Sequence, residues 1–284
     1  MKPLFHTATG KSVASFLNKP SHAVLLYGPE GAGKGTVAAY IASQLLGINP
    51  AQLSNHPYTA WLHDQQVTPI EDIRSLQKLM QLKVPGAHQY RRAVIIEQSQ
   101  TMSKEAQNAF LKLLEEPPED TLIVLTVTDR NLLLDTILSR LQQIRILALS
   151  QETVQNNYQS QFSSAEVDRA FHLSDGYIGL IDALLHNNQD HPLVEQIAQA
   201  KNILASNRFL RLAQVDAIVK QKNLAVFLQA LQRVCHAALV ANIQKEGTAT
   251  AQWKHRLQTT VQAQQRLSAN PQAKLLLTDL FLSL

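Results

Sequence analysis

Residues 91–140 read RRAVIIEQSQTMSKEAQNAFLKLLEEPPEDTLIVLTVTDRNLLLDTILSR, and this stretch decides the fold. Residues 94–96 (VII) and 122–127 (LIVLTV) are short apolar runs bounded by polar residues, as strands buried on both faces require. Between them lies a helical pattern that Pro117 and Pro118 stop in the charged turn LLEEPPED. The stretch closes on Ser139-Arg140.

The same alternation extends outward. Residues 23–27 (AVLLY) form another apolar run, followed at once by GPEGAGKGT and a helical pattern over 36–46. Residues 55–67 read as polar and irregular, 70–82 as a helix, 83–92 as a loop and 143–148 (QIRILA) as a further strand. Strands alternating with helices of this length predict an α/β domain with a mostly parallel sheet. After Ser150 the strand signal ends and leucine- and alanine-rich helical patterns take over, interrupted at Gly176. The polar run NNQDHP at 187–192 ends in a proline and is the best linker candidate. The expected division is an α/β domain over 1–149, a small helical domain over 150–190 and a helical C-terminal domain over 191–284.

Composition narrows the function classes. A hydrophobic fraction of 45% and a charged fraction of 17% are ordinary for a globular chain. The one cysteine, Cys235, rules out a disulfide framework and a cysteine zinc site, so no zinc is expected. No apolar run reaches the length of a membrane span, and MKPLFHTATGKSVASFL lacks the apolar core of a signal peptide. The expectation is a cytoplasmic protein without a membrane partner. A net charge of +4 and a pI near 9.1 are compatible with nucleic acid nearby, without any basic–aromatic run for reading bases.

Gly28-Pro29-Glu30-Gly31-Ala32-Gly33-Lys34-Gly35-Thr36 follows an apolar run and opens a helix, the context that a phosphate-binding loop requires. Gly28, Gly31, Gly33 and Gly35 let backbone N–H groups turn toward a phosphate, and the helix N-terminus adds positive potential. Lys34 is placed to reach the terminal phosphates. A loop kept only for its fold needs the glycines but has no need of Lys34. The residue after the lysine ordinarily supplies a hydroxyl to magnesium; here it is Gly35, and Thr36 comes one position later. The GKGT ending also resembles nucleoside monophosphate kinases such as adenylate kinase, over roughly these residues alone.

The apolar run at 94–96 leads into Glu97-Gln98. In P-loop ATPases of this order the corresponding strand ends in Asp-Glu; the first carboxylate positions magnesium and the second polarises water. Glu97 keeps a carboxylate, whereas Gln98 cannot accept a proton. Loss of general-base assistance costs about 10²–10⁴ in rate, so hydrolysis is expected to be poor.

At these residues the chain resembles a bacterial DNA polymerase III clamp loader subunit, over about 22–148. The resemblance rests on AQNAFLKLLEEPP at 106–118 and on Ser139-Arg140, with Leu141 where the family's Ser-Arg-Cys motif has cysteine. His56-Pro57 and residues 70–82 are also family-like. Subunits of the gamma/tau type carry Asp-Glu, a zinc-binding cysteine cluster and a lid arginine. This chain has Glu97-Gln98, no cysteine before residue 235, and no arginine in Asp175-Gly176-Tyr177-Ile178-Gly179-Leu180. These departures point to a delta prime-like subunit, while the intact P-loop leaves nucleotide binding open.

The resemblance implies an AAA+ P-loop domain with a parallel sheet, a helical lid and an all-helical collar. It implies Arg140 as an arginine finger acting on a neighbour's nucleotide, and Thr128, beside Asp129, as a sensor of the γ-phosphate. It implies ATP or ADP with magnesium as cofactor. The implied partners are gamma/tau and delta type loader subunits, a sliding clamp and primer–template DNA reached through the assembly. An active gamma/tau-type ATPase and a free-standing nucleotide kinase stay open as alternatives. Glu115 and Glu116 read as structural, though two acids sit unfavourably at a helix C-terminus unless something offsets them. His56, Trp61 and His63 lie close in sequence but lack metal-ligand spacing, so no metal site is expected there.

Overall fold

Uninterrupted apolar runs take the centre of a parallel sheet, because only there are both faces of a strand covered. The computed structural model describes residues 3–62, 68–80, 84–85, 88–189, 191–221, 224–267 and 272–284. The chain divides into two compact units, Met1–Ala148 and Leu149–Leu284.

In the first unit α1 (Thr7–Asn18) precedes β1 (Ala23–Tyr27), α2 (Lys34–Leu46), β2 (Thr59–Leu62) and α3 (Ile70–Met80). Then come β3 (Arg92–Ile96), α4 (Lys104–Glu115), β4 (Thr121–Val127), α5 (Asp135–Leu138) and β5 (Gln142–Arg145). Every strand pairing is parallel, in the order β2-β3-β4-β1-β5. The carboxyl ends of the strands therefore share one edge, which brings Gly28, Glu97 and Thr128 to the same side of the sheet. In open parallel sheets ligands bind outside that edge.

Strand pleating sends alternate side chains to opposite faces. Leu25, Val94, Ile96, Ile123 and Leu125 join one buried cluster with Ile73 and Leu76 of α3, Phe110 and Leu114 of α4 and Ile137 of α5. On α2, Val37, Ala38, Ile41 and Ala42 are buried where that helix packs on β1, β3 and β4. Phe110 has no exposed surface; burying a side chain of this size contributes about 1.5–3 kcal/mol.

The strand expected over 143–148 runs instead over Gln142–Arg145, and two further readings needed correction. Residues 55–67 are not wholly irregular: Thr59–Leu62 form β2, pairing in parallel with β3. None of its residues is fully buried, so this edge strand lacks the apolar run that betrays its neighbours. The loop expected over 83–92 ends earlier, because Arg92 opens β3. Arg92 is buried, donates to the carbonyl of Leu79 at 2.5 Å and lies 3.8 Å from the Asp120 carboxylate. Arg91 pairs with the same carboxylate at 3.2 Å. The last acid of LLEEPPED thus clamps the starts of β3 and β4 together.

The second unit is helical throughout its described residues. It comprises α6 (Gln151–Tyr158), α7 (Ser164–Ser174), α8 (Ile178–Leu185), α9 (Pro192–Ala205), α10 (Arg208–Ala213), α11 (Val215–Lys220), α12 (Leu224–Gln244), α13 (Thr250–Leu267) and α14 (Ala273–Ser283). Leu173 of α7 and Leu180 of α8 share one buried cluster with Ile197, Phe227, Leu231, Leu277 and Phe281. Asp175 ends α7 in a left-handed conformation, and its carboxylate pairs with Arg233 of α12 at 2.8 Å. Tyr158 donates to Asp182. Helix α12 has the length and hydropathy of a membrane span, yet it packs along α7, α9 and α13 and buries Phe227, Leu228, Leu231 and Cys235 in this cluster.

Candidate functional site

The chain leaves β1 at Tyr27 and enters the glycine loop directly. Gly28 N–H donates to the Val127 carbonyl at 3.2 Å, tying the loop to the end of β4 and hence to Thr128. Gly33 stands before α2 with φ of 84°, a left-handed conformation that side chains disfavour. Lys34 opens the helix, and its Nζ donates to the carbonyls of Gly28 at 2.7 Å and Pro29 at 2.8 Å. The lysine therefore closes the loop on itself, so a loop kept for its fold does have a use for Lys34. Burial pushes the Lys34 amine down to about 8, while the carboxylates of Glu30 and Glu97 act in the opposite sense.

Glu97, at the end of β3, leans over the start of α2. A Cβ placed on Gly35 would stand 2.6 Å from Glu97 Oε1, closer than two such atoms approach. The same oxygen accepts from Trp61 Nε1 at 3.0 Å. A side chain at position 35 would have to displace the end of the Glu97 side chain. Thr36, one residue further round the helix, is exposed. Magnesium fits this donor set through Glu97, a hard oxygen ligand, with no hydroxyl at position 35 to share it.

Gln98 adopts a left-handed conformation with φ of 49°, unusual for a residue with a side chain. Its backbone N–H is taken up by Thr126 Oγ1 at 3.1 Å. Asp129, next to Thr128, accepts from Asn131 N at 3.0 Å and turns the chain out of the sheet.

The structure brings the loop, Lys34, Gly35, Glu97 and Trp61 together. Arg140 forms a separate cluster. It follows α5 and is partly exposed; it donates to Glu115 Oε1 at 2.9 Å and to the Thr136 carbonyl at 2.7 Å. Glu115, at the end of α4, is offset in this way. His56 serves locally, accepting from Tyr58 N at 3.4 Å, and His63 lies outside the described residues. Among the described residues, no group of three or more His, Cys, Asp or Glu side chains could hold a metal ion. Sequence reading missed Trp61 and Thr126. Neither carries a local signal, because both act on residues distant in the chain.

Residues 12–150, just under half of the chain, match the family described as DNA polymerase III, delta subunit. Over these residues the chain is similar to clamp loader subunits of DNA polymerase III.

Similar proteins include DNA polymerase III subunit delta' of Pseudomonas aeruginosa, 33% identical over 138 residues, 43% of this chain and 42% of that one. Subunit delta' of Bacillus subtilis is 30% identical over 166 residues, 52% of this chain and 49% of that one. Subunit tau of Escherichia coli is 29% identical over 165 residues, 53% of this chain and 25% of that one. The chain spans less than half the length of each. In architecture it is similar to a DNA polymerase III gamma subunit-related protein from Thermotoga maritima, with a TM-score of 0.53 and 17% identity over 95% of this chain and 97% of that one. That likeness covers both units and shows the fold: a parallel P-loop sheet followed by helices.

Proposed function

We propose that this chain is a delta prime-like clamp loader subunit of DNA polymerase III that holds a nucleotide but turns it over poorly or not at all. It lends Arg140 to a neighbouring subunit. The observation carrying this reading is the pairing of an intact phosphate loop with a strand end in which Gln98 replaces the water-activating carboxylate. Gly28, Gly31, Gly33 and Gly35 would turn backbone N–H groups to the phosphates. Lys34, released from the Gly28 and Pro29 carbonyls, would neutralise their charge. Glu97 would hold magnesium, which when bound shields the phosphate oxygens, and Thr128 would register the γ-phosphate.

Arg140 stands in a solvent-facing turn, and a guanidinium there can exchange Glu115 for a phosphate on a partner chain. An arginine supplied in trans is worth about 10³–10⁵ in rate. The proposed partners are gamma/tau and delta type subunits, with sliding clamp and primer–template DNA engaged through the assembly. Within the helical unit, residues 150–190 would act as lid and 191–284 as collar. The test is a loader reconstituted with Arg140→Ala. Complex formation with ATPase reduced by orders of magnitude supports the reading; complex formation with unchanged ATPase removes the arginine's role.

A second reading, an ATP-hydrolysing subunit of the same loader, is favoured by Lys34 and the intact loop. It predicts steady turnover by the isolated chain.

A further inference from the structure

The chain leaves β4 through a tight turn, Arg130–Leu132, that the fold holds in place. Asp129 caps it by accepting from Asn131 N at 3.0 Å, and Leu133 behind it is buried in the cluster that joins α3, α4 and α5 to the sheet. Arg130 is exposed, and its guanidinium donates to the neutral Gln143 Oε1 of β5 at 3.3 Å. Among the described residues it joins no ion pair. Gln143 Nε2 in turn donates to the Leu138 carbonyl, at the end of α5, at 3.3 Å. Arg140 donates to the Thr136 carbonyl of the same short helix. The two arginines are thus fastened to one turn of chain, Arg140 with a carboxylate beside it and Arg130 without. Leu132, two residues from Arg130, is 52% exposed, and among the described residues of the first unit it is the exposed large apolar side chain.

A lone exposed leucine is ordinary on a protein surface, and so is a solvated arginine. Their coincidence beside Arg140 is the composition of a contact between chains, where arginines and apolar side chains gather. We propose that Arg130 and Leu132 form a docking surface for the chain that receives Arg140, with Arg130 binding a carboxylate of that chain and Leu132 an apolar side chain next to it. The inference rests on the reading that Arg140 faces a neighbouring subunit, and it adds what seats the two chains together. A phosphate also satisfies a guanidinium but offers Leu132 no apolar cover, whereas a protein surface supplies both. The guanidinium spends one donor on Gln143 and keeps others for a carboxylate, which it can grip with two parallel hydrogen bonds.

The experiment titrates the full chain into gamma/tau and delta type subunits at low and at high salt. It measures the concentration needed for assembly and the ATPase at saturation. The unaltered chain is compared with Arg130→Ala, Arg130→Glu, Leu132→Ala and Arg140→Ala. Arg130→Ala is expected to need about tenfold more chain at low salt and to depend less on salt, with ATPase at saturation unchanged. Arg130→Glu should need more still, because it sets like charges together. Leu132→Ala should weaken assembly by about fivefold at both salts alike, since only apolar contact is lost. Assembly of Arg130→Ala and Arg130→Glu as readily as the unaltered chain would overturn the inference. Normal assembly of Arg130→Ala with a lower ATPase at saturation would also overturn it, and would assign Arg130 to the neighbour's phosphates. Unchanged ATPase with Arg140→Ala, alongside weakened assembly of Arg130→Glu, would remove the finger reading alone and leave the docking surface supported.

Discussion

Glu115 Oε1 accepts a hydrogen bond from Arg140 at 2.9 Å, joining the end of α4 to the turn before β5. The two residues belong to the two segments, LLEEPPED and Ser139-Arg140, by which the chain resembles clamp loader subunits. In the isolated chain the candidate finger is therefore neutralised by its own subunit.

The pair is largely solvent-exposed, so breaking it should cost little: exposed ion pairs contribute about 0–1 kcal/mol. Arg140→Ala and Glu115→Ala are each expected to unfold at nearly the same temperature as the unaltered chain, by calorimetric melting. Only Arg140→Ala should depress the ATPase of the assembled loader. A large loss of stability in either variant would show that the pair is structural.

Lys34 gives the site a pH dependence. Burial places its amine at about 8 in the empty loop, against 10.5 for an ordinary lysine. A bound phosphate favours the charged amine, so above about 8 binding must take up a proton. Affinity for ATP is expected to be flat below that pH and to fall by up to about tenfold per unit above it. For stability the sign is opposite. Between about 8 and 10.5 the unfolded chain binds more protons than the folded one, so this lysine's contribution rises with pH there. An ATP titration from pH 6.5 to 9.5 that stays level would remove the lysine from the binding step.

Phe110 anchors α4 under the sheet with no exposed surface. Phe110→Ala should destabilise the chain by about 3–5 kcal/mol, the range for truncating a buried aromatic residue. Urea denaturation measures this directly, and a loss under about 1 kcal/mol would mean that the site collapses around the missing ring.

Asp120→Asn tests the clamp at the foot of the sheet. Arg92 is buried beside this carboxylate, and removing one side of a buried pair costs about 3–5 kcal/mol. The value expected lies at the low end, since Arg91 can still reach water. Asp120→Asn without measurable effect in the same denaturation series would show that Arg92 is satisfied without this carboxylate.

The parts legible in the sequence are those with a local cause. AVLLY became β1 with its bounds unchanged, because an apolar run followed by glycine has one physical solution. Ser103 caps α4 by accepting from Ala106 N at 3.1 Å, and prolines follow the helix at 117 and 118. What stayed hidden depends on contacts across the fold. Trp61 meets Glu97 across 36 residues of sequence, on an edge strand too short and too exposed to show its period. Gly35 looked only like a lost hydroxyl, and the end of the Glu97 side chain lies beside it. Glu115 looked misplaced at a helix end until Arg140, 25 residues on, came to rest against it.

The most direct measurement is binding and turnover of ATP by the purified chain, followed by calorimetry and phosphate release in the same samples, with Lys34→Ala as control. Binding that depends on Lys34, without phosphate release, is the predicted result. Steady turnover by the isolated chain would contradict it and make this subunit a motor.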